Sequence, residues 1–187
     1  DLRRKGNVHL IGPGVSSLVK LEVLPESYQV SWHCFMFDPR PGGPHVYDDK
    51  RWDDGIVALK REALLELWSS ADGKFLHSER NDDGTDRHYA RYTWAGSVLT
   101  LSGQAKPASA THELDLRGGS ESAKVMKDGQ LTQQRVNISM ICESKAQNRV
   151  IRQLLGISQS YTSEQAAWPF VLMKLQFVAD MRDPMTR

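Results

Sequence analysis

The sequence predicts a single α+β domain built on a mostly antiparallel, twisted sheet. The chain has 187 residues, a usual length for one domain. Short segments in which apolar and polar residues alternate recur along the chain, a pattern typical of half-buried strands. One longer segment changes to a period of 3.6 residues, which is typical of an amphipathic helix. Hydrophobic residues make up 40% and charged residues 25%, so the composition excludes a disordered chain.

The N-terminal residues 1–6 are predicted to form a mobile basic arm, because Arg3, Arg4 and Lys5 have few apolar neighbours to bury. The folded domain is then expected to span residues 7–187. Alternating apolar residues predict strands over 17–24 and 28–37.

The main helix is predicted over residues 54–69. Asp53 or Asp54 is a suitable N-cap, because its carboxylate can accept the free N–H groups of the first turn. The apolar positions that define one broad helical face are Ile56, Leu59, Ala63, Leu64, Leu67 and Trp68.

A hairpin is predicted next, with strands over 74–79 and 86–95 joined by a turn at Asn81-Asp82-Asp83-Gly84. Gly96 is expected to bend the chain before a further strand over 97–102.

Residues 103–132 contain many small polar residues, and this composition predicts a long exposed loop. Such a loop is a candidate for self-association, through Lys106, Pro107, Leu114 and Leu116. The alternative is a surface insertion without a role.

The C-terminal part is predicted to contain a strand over 134–142, a second and shorter helix over 146–155, and a strand over 170–179. Gly156 is a suitable helix terminator.

Motifs for catalysis or cofactor binding are absent from the sequence. There is no G-x-S-x-G, no Walker-type loop, and no G-x-G-x-x-G after a strand. The six histidines show no zinc-ligand spacing. A turn at Asp82-Asp83 would set His77 opposite His88, but two ligands seldom hold zinc. We therefore expect no enzyme activity, no small-molecule substrate, no metal and no cofactor.

The two cysteines, Cys34 and Cys142, each lie in an apolar run. This setting predicts two buried free thiols in a reducing compartment.

Basic and aromatic residues alternate at Arg87, Tyr89 and Arg91, which share one face of a predicted strand. Arg149 and Arg152, on the polar side of the second helix, are expected to extend this patch. Such a surface suits stacked bases and phosphates, an anionic lipid surface, or plain solvent. The net charge of +1 argues against holding duplex nucleic acid by overall charge, but leaves a local patch open.

The order of predicted elements resembles that of the globular part of rhabdovirus matrix proteins. The matching pieces are the arm with Arg3, Arg4 and Lys5, the strand 28–37, the helix after His45-Val46-Tyr47-Asp48, and the loop 103–132. The strand with Val136 to Ile141, the helix near Val150 and the final strand complete the match. The proline-rich P-P-x-Y motif of several members is absent, and the weak net charge also departs from the family pattern.

This resemblance implies a structural viral protein that associates with itself, binds the inner surface of a membrane and condenses a nucleoprotein–nucleic acid complex. The expected location is the virion and the host cytoplasm, peripheral to an anionic membrane. A mobile basic arm gains about 1 kcal/mol per Lys or Arg near such a surface.

Two other functions remain open from the residues alone. One is a nucleic-acid-binding module that uses the strand 87–92. The other is a small-ligand carrier or enzyme with a pocket in the curved sheet, lined by Tyr28, Trp32 and Trp94.

Overall fold

The computed structural model describes residues 8–12, 28–40, 43–48, 56–100 and 103–177. Within these ranges the chain forms nine strands and five helices. The strands are β1 His9–Ile11, β2 Tyr28–Phe35, β3 Val46–Asp48, β4 Ile56–Leu59, β5 Lys74–Arg80, β6 Tyr89–Leu99, β7 Ala105–Asp115, β8 Tyr161–Thr162 and β9 Phe170–Phe177. The helices are α1 Arg61–Ser70, α2 Glu121–Lys124, α3 Asp128–Val136, α4 Ile138–Leu155 and α5 Ser163–Ala166.

The strands pair in three small sheets, with the orders β1-β9-β2, β3-β4-β8 and β5-β6-β7. All of these pairs are antiparallel except β1 with β9. The predicted α+β class with mostly antiparallel sheets is therefore confirmed. The predicted arm 1–6, the predicted strand 17–24 and the predicted N-cap at Asp53 or Asp54 lie outside the described residues.

The predicted first helix begins later than expected. Residues Ile56–Leu59 form β4, which is paired with β3 on one side and β8 on the other. Val57, Ala58 and Leu59 are all buried, and a short continuous apolar run is typical of a strand that is covered on both faces. The helix α1 begins only after Lys60, and it buries the predicted face at Leu64 and Leu67.

The predicted bend at Gly96 and the separate strand 97–102 are wrong, because β6 continues through Gly96 to Leu99. A Cβ atom at Gly96 would lie 2.7 Å from Cζ3 of Trp94 and 3.0 Å from Cη2 of Trp68. These two indoles pack edge to face, with their centroids 5.8 Å apart. Gly96 therefore leaves room for the two rings.

The predicted loop 103–132 is also wrong over most of its length. Residues Ala105–Asp115 form β7, which pairs with β6 from Leu99↔Ala105 to Tyr89↔Asp115. In the described sheet β7 is an edge strand, and its inner face carries the small residues Ala108 and Ala110 against the core. A strand of this kind has few large apolar residues, so its sequence resembles that of a loop. The rest of the predicted loop contains the helix α2 and the first part of α3.

The predicted strand 134–142 is helical. Ile138, Cys142 and Ala146 are four residues apart and buried, whereas Val136 and Met140 are exposed. A spacing of four fits both a strand and a helix, so only Val136 and Met140 distinguish the two. The predicted helix 146–155 is the C-terminal half of α4, and Gly156 ends α4 with φ 68° as predicted.

The core consists of two apolar clusters, which contact different parts of the buried face of α4. The larger one joins α1, α4 and the inner faces of the strands through residues such as Leu64, Leu154 and Phe170. The smaller one contains Ala90, Leu114, Leu116, Ile138 and Cys142. Because α4 packs on both α1 and β7, the space between these elements opens as a cleft at the surface.

Candidate functional site

A cleft of about 600 Å³ lies between the start of α1, the end of β7 and the middle of α4. We call it the basic cleft. Its lining residues are Leu59, Lys60, Arg61, Glu62, His112, Lys145, Asn148, Arg149, Arg152, Gln153, Ile157 and Gln159. Five of them are Lys or Arg and one is Glu, so this surface is strongly positive although the whole chain carries a net charge of only +1.

One wall of the basic cleft is a stripe of cations along α4. Lys145, Arg149 and Arg152 have the spacing i, i+4, i+7, which sets their side chains on one face of a helix. Arg149 Nη1 donates a hydrogen bond to the carbonyl oxygen of Thr111 at 2.9 Å, and Arg152 Nη2 donates to that of Leu59 at 3.1 Å. Each guanidinium has five N–H donors, so these bonds position the two groups and leave further donors for a ligand.

The start of α1 forms the opposite wall. Its N-cap residue, Lys60, makes no side-chain capping bond to the first turn. The Nζ atom of Lys60 instead donates to the carbonyl oxygen of Gly43 at 2.5 Å. The N-terminus of a helix carries a partial positive charge, which adds to that of Lys60 and Arg61.

Three buried side-chain atoms in this cleft lack a hydrogen-bond partner within the described part of the chain. They are His112 Nε2, Asn148 Oδ1 and Arg152 Nε. Buried polar atoms are almost always hydrogen-bonded, because leaving one unsatisfied costs about 1–3 kcal/mol. Their concentration in one cleft indicates that a polar ligand or water completes them.

The positive field of the cleft acts on His112. Burial, together with the nearby charges of Arg149 and Lys145, lowers the pKa of this imidazole to about 4. His112 is therefore neutral at pH 7. A neutral imidazole among cations contributes a hydrogen-bonding atom without adding to the positive charge.

A second cleft, of about 540 Å³, lies between the turn of the β5–β6 hairpin and the α3–α4 junction. We call it the hairpin cleft. It is lined by Arg80, Gly84, Asp86, Arg87, His88, Thr132, Arg135, Val136, Ile138 and Ser139. Two of its cations are occupied within the protein, since Arg80 pairs with Asp82 at 2.6 Å and Arg135 donates twice to the carbonyl oxygen of Leu116.

The predicted basic and aromatic patch is divided between the two faces of the β5-β6-β7 sheet. Tyr89 and Arg91 alternate with the buried Ala90, so they lie on the face away from α4. There Arg117 stacks on the ring of Tyr89 at 5.0 Å. Arg149 and Arg152 lie on the α4 side, in the basic cleft, and do not extend the patch. Arg87 lies in the hairpin cleft.

The predicted pairing of His77 with His88 is wrong. His77 lies opposite Ala95, and His88 belongs to the turn before β6, because the turn is longer than the sequence suggested. Within the described residues, no group of three or more His, Cys, Asp and Glu side chains is arranged to hold a metal ion.

The residues predicted for a self-association loop have two different environments. Leu114 and Leu116 are buried in the smaller core cluster and are not available to a partner. Lys106 and Pro107 are exposed on β7. Arg3, Arg4 and Lys5 lie outside the described residues.

The predicted pocket with Tyr28, Trp32 and Trp94 does not form. Trp94 is buried against Trp68, while Trp32 is exposed on the separate sheet that contains β2. Both cysteines are free, as predicted, but only Cys142 is buried and Cys34 is exposed.

Comparison with protein-family models, curated proteins and solved structures finds no match to this chain. Within the described residues, no helix has the length and the apolar character needed to cross a membrane. The sequence contained one signal for the basic cleft, the position of Arg149 and Arg152 on the polar side of the predicted second helix. The contributions of Lys60 and His112 had no signal, because both residues reach the cleft only through tertiary packing.

Proposed function

We propose that this domain binds single-stranded nucleic acid in the basic cleft. The observation that carries the proposal is the coincidence of five cations with three unsatisfied buried polar atoms in one cleft. Phosphates of a nucleic-acid backbone are attracted by such a cluster of Lys and Arg, with release of counterions. Bases and sugars supply the neutral polar groups that the buried atoms require.

The burial of the unsatisfied atoms favours a single strand over a duplex. The unsatisfied atoms of His112, Asn148 and Arg152 are shielded from solvent, so a ligand reaches them only by entering the cleft. A duplex presents its phosphates on the outside of a wide, stiff cylinder. A single strand is thinner and flexible, and proteins that bind it commonly use a positive groove that follows the backbone.

The proposal is tested with fluorescently labelled 20-nucleotide DNA and RNA strands and a DNA duplex, using anisotropy between 50 and 300 mM salt. We expect the single strands to bind more tightly than the duplex, with affinity that falls steeply with salt. The double variant Lys145→Gln/Arg149→Gln is expected to lower the affinity at least about tenfold and to reduce the salt slope by roughly 1–2.

The matched control is Arg87→Gln/Arg91→Gln, which removes the same charge from outside the basic cleft. An equal loss in both double variants would assign binding to the overall charge and contradict a role of the cleft. Absence of binding to every strand at 50 mM salt would exclude the function altogether.

A second function, self-assembly of the matrix type, is supported by the resemblance described above and by one surface. In the described sheet β5 is an edge strand, and Phe75 and Leu76 on it are 61% and 52% exposed. Exposed apolar residues on an edge strand favour pairing with another chain, here a second copy of this one. Such an assembly would add many weak contacts to an anionic membrane and to a nucleoprotein complex.

Self-assembly is tested by light scattering over a range of protein concentrations and by flotation with liposomes that contain anionic lipid. We expect Leu76→Lys to reduce oligomers, while Val125→Lys, at an 81% exposed residue after α2, leaves them unchanged. A strictly monomeric wild-type protein that does not float with liposomes at low salt would contradict this second function.

A further inference from the structure

The three unsatisfied atoms of the basic cleft differ in what they require. Arg152 Nε only donates, Asn148 Oδ1 only accepts, and His112 Nε2 does either according to its tautomer. Phosphate oxygens accept hydrogen bonds and do not donate them, so a phosphate does not satisfy Asn148. The buried part of the cleft therefore has a mixed donor and acceptor pattern, unlike a phosphate site.

The edge of a nucleobase has such a mixed pattern. Proteins that recognise single strands hydrogen-bond the exposed edges of unstacked bases, and Asn and Arg are frequent partners in base recognition. Adenine and cytosine each carry an exocyclic amine next to an unprotonated ring nitrogen. The amine donates to a group such as Asn148 Oδ1, and the ring nitrogen accepts from a group such as Arg152 Nε. Uracil and thymine have a carbonyl oxygen and a ring N–H in these positions.

We propose that the floor of the basic cleft is a base-reading subsite, in which Asn148 and Arg152 bind the edge of one unstacked adenine or cytosine and His112 adds a third hydrogen bond. This inference rests on the proposed binding of single strands. The cations nearer the surface, Lys145 and Arg149, then hold the neighbouring phosphates. This division of base and phosphate contacts follows a general rule, in which phosphate contacts position a nucleic acid and base contacts give specificity.

The burial of the three atoms gives this subsite its selectivity. When a buried donor or acceptor meets a ligand that lacks the matching group, the full cost of desolvation remains. A site built on hydrogen bonds therefore rejects a ligand without them more strongly than an apolar pocket rejects an extra methyl group.

The test compares the oligonucleotides dC20 and dU20 at pH 7.5, because their bases differ only at the exocyclic group and the ring nitrogen beside it. We expect the wild-type protein to bind dC20 more tightly than dU20 by roughly five- to tenfold. Asn148→Leu is expected to bring this ratio close to one. Lys145→Gln is expected to weaken both strands by the same factor and to leave the ratio unchanged.

Arg152 also donates to the carbonyl oxygen of Leu59, so its replacement affects folding as well. Asn148→Leu is therefore the primary variant and His112→Gln the second, each checked by thermal unfolding. A reduced cytosine preference in a variant that is at least as stable as the wild type supports the subsite.

A third oligonucleotide, rU20, separates the base from the ribose, since a 2′-hydroxyl also donates and accepts. If rU20 binds more tightly than dU20 while dC20 and dU20 bind alike, the ribose occupies the floor and the base-reading subsite is overturned. Equal binding of all three overturns the subsite but leaves the proposed function in place, with water satisfying the buried atoms. If none of the three binds at 50 mM salt, the proposed function itself fails.

Discussion

The two clefts of this domain are similar in size and both are lined by cations, yet they differ in how their polar groups are satisfied. In the hairpin cleft, Arg80 and Arg135 bind Asp82 and the carbonyl oxygen of Leu116. In the basic cleft, buried atoms of His112, Asn148 and Arg152 lack a partner within the described residues. The cations of the first cleft stabilise the fold, whereas the buried polar atoms of the second reduce stability unless a ligand or water is present.

This difference shows why a count of charges is a weak guide to function. Exposed Lys and Arg side chains are common on any protein surface, and most of them contribute little. A buried polar atom without a partner is rare and costs free energy, so it requires an explanation.

The largest difference is expected in binding after charge reversal. Arg149→Glu replaces an attractive by a repulsive charge beside the phosphates, and we expect it to weaken single-strand binding by about twentyfold or more at 100 mM salt. Arg87→Glu makes the same change in the hairpin cleft, where we expect a loss of about threefold or less, from long-range repulsion alone. Anisotropy measures both. A larger loss for Arg87→Glu would reverse the assignment of the two clefts.

The second effect concerns stability, and here the two clefts are expected to respond with opposite signs. Arg135→Met removes two charge-assisted hydrogen bonds to the Leu116 carbonyl oxygen, so we expect the free energy of unfolding to fall by roughly 1–3 kcal/mol. Asn148→Leu removes an unsatisfied buried oxygen, so we expect a gain of up to about 1 kcal/mol. Urea unfolding of both variants gives these values. Destabilisation by Asn148→Leu would mean that a water already satisfies the oxygen.

The third effect is a pH dependence of stability due to His112. Its pKa is about 4 in the folded protein and about 6.5 when unfolded, so between these values the unfolded chain binds more protons. Stability is then expected to fall as pH decreases from about 6.5 to about 4. His112→Gln should remove this part of the decline, as measured by urea unfolding at pH 7, 5.5 and 4.5.

The loss of stability that follows protonation of carboxylates occurs in a lower pH range, and it serves as a control. Hydrogen bonds from Arg40 and Arg117 lower the pKa of Asp38 and of Asp115 to about 2. Stability from these groups is present above the usual pKa of 3.8 and is lost as pH falls towards 2. If His112→Gln changed the curve only below pH 4, the folded imidazole would not have the lowered pKa that its burial implies.

The smallest effect is a shift in the pKa of His112 when a strand binds. Phosphates near Arg149 and Lys145 would offset the positive charges that lower this pKa, so we expect the pKa to rise from about 4 towards its usual value. NMR titration of the His112 ring protons, with and without dU20, whose bases do not titrate in this range, measures this change. A strand that bound elsewhere would leave the pKa of His112 unchanged.

The sequence correctly predicted the elements in which local spacing is unambiguous. The apolar face of α1 at Leu64 and Leu67, the C-terminal half of α4 with Gly156 behind it, and the strands β2 and β9 follow from their own periodicity. It failed at β7, whose small inner residues resemble a loop, and at the first half of α4. There Ile138 and Cys142 fit a strand as well as a helix. Their spacing of four residues is twice the strand repeat of 2.0 and close to one helical repeat of 3.6.

For the candidate site, the sequence by itself placed Arg149 and Arg152 on the polar side of one helix, because the spacing along a helix depends only on neighbouring residues. Lys145 joins their stripe only because α4 begins earlier than predicted, at Ile138. Only the tertiary structure decided what faces that stripe. Lys60 comes from the start of α1 and His112 from β7, and both are distant from α4 along the chain. The burial that leaves the Asn148 and Arg152 atoms unsatisfied depends on the packing of these three elements together. Periodicity describes contacts within an element, whereas the environment of a buried polar atom is set by elements that meet only after folding.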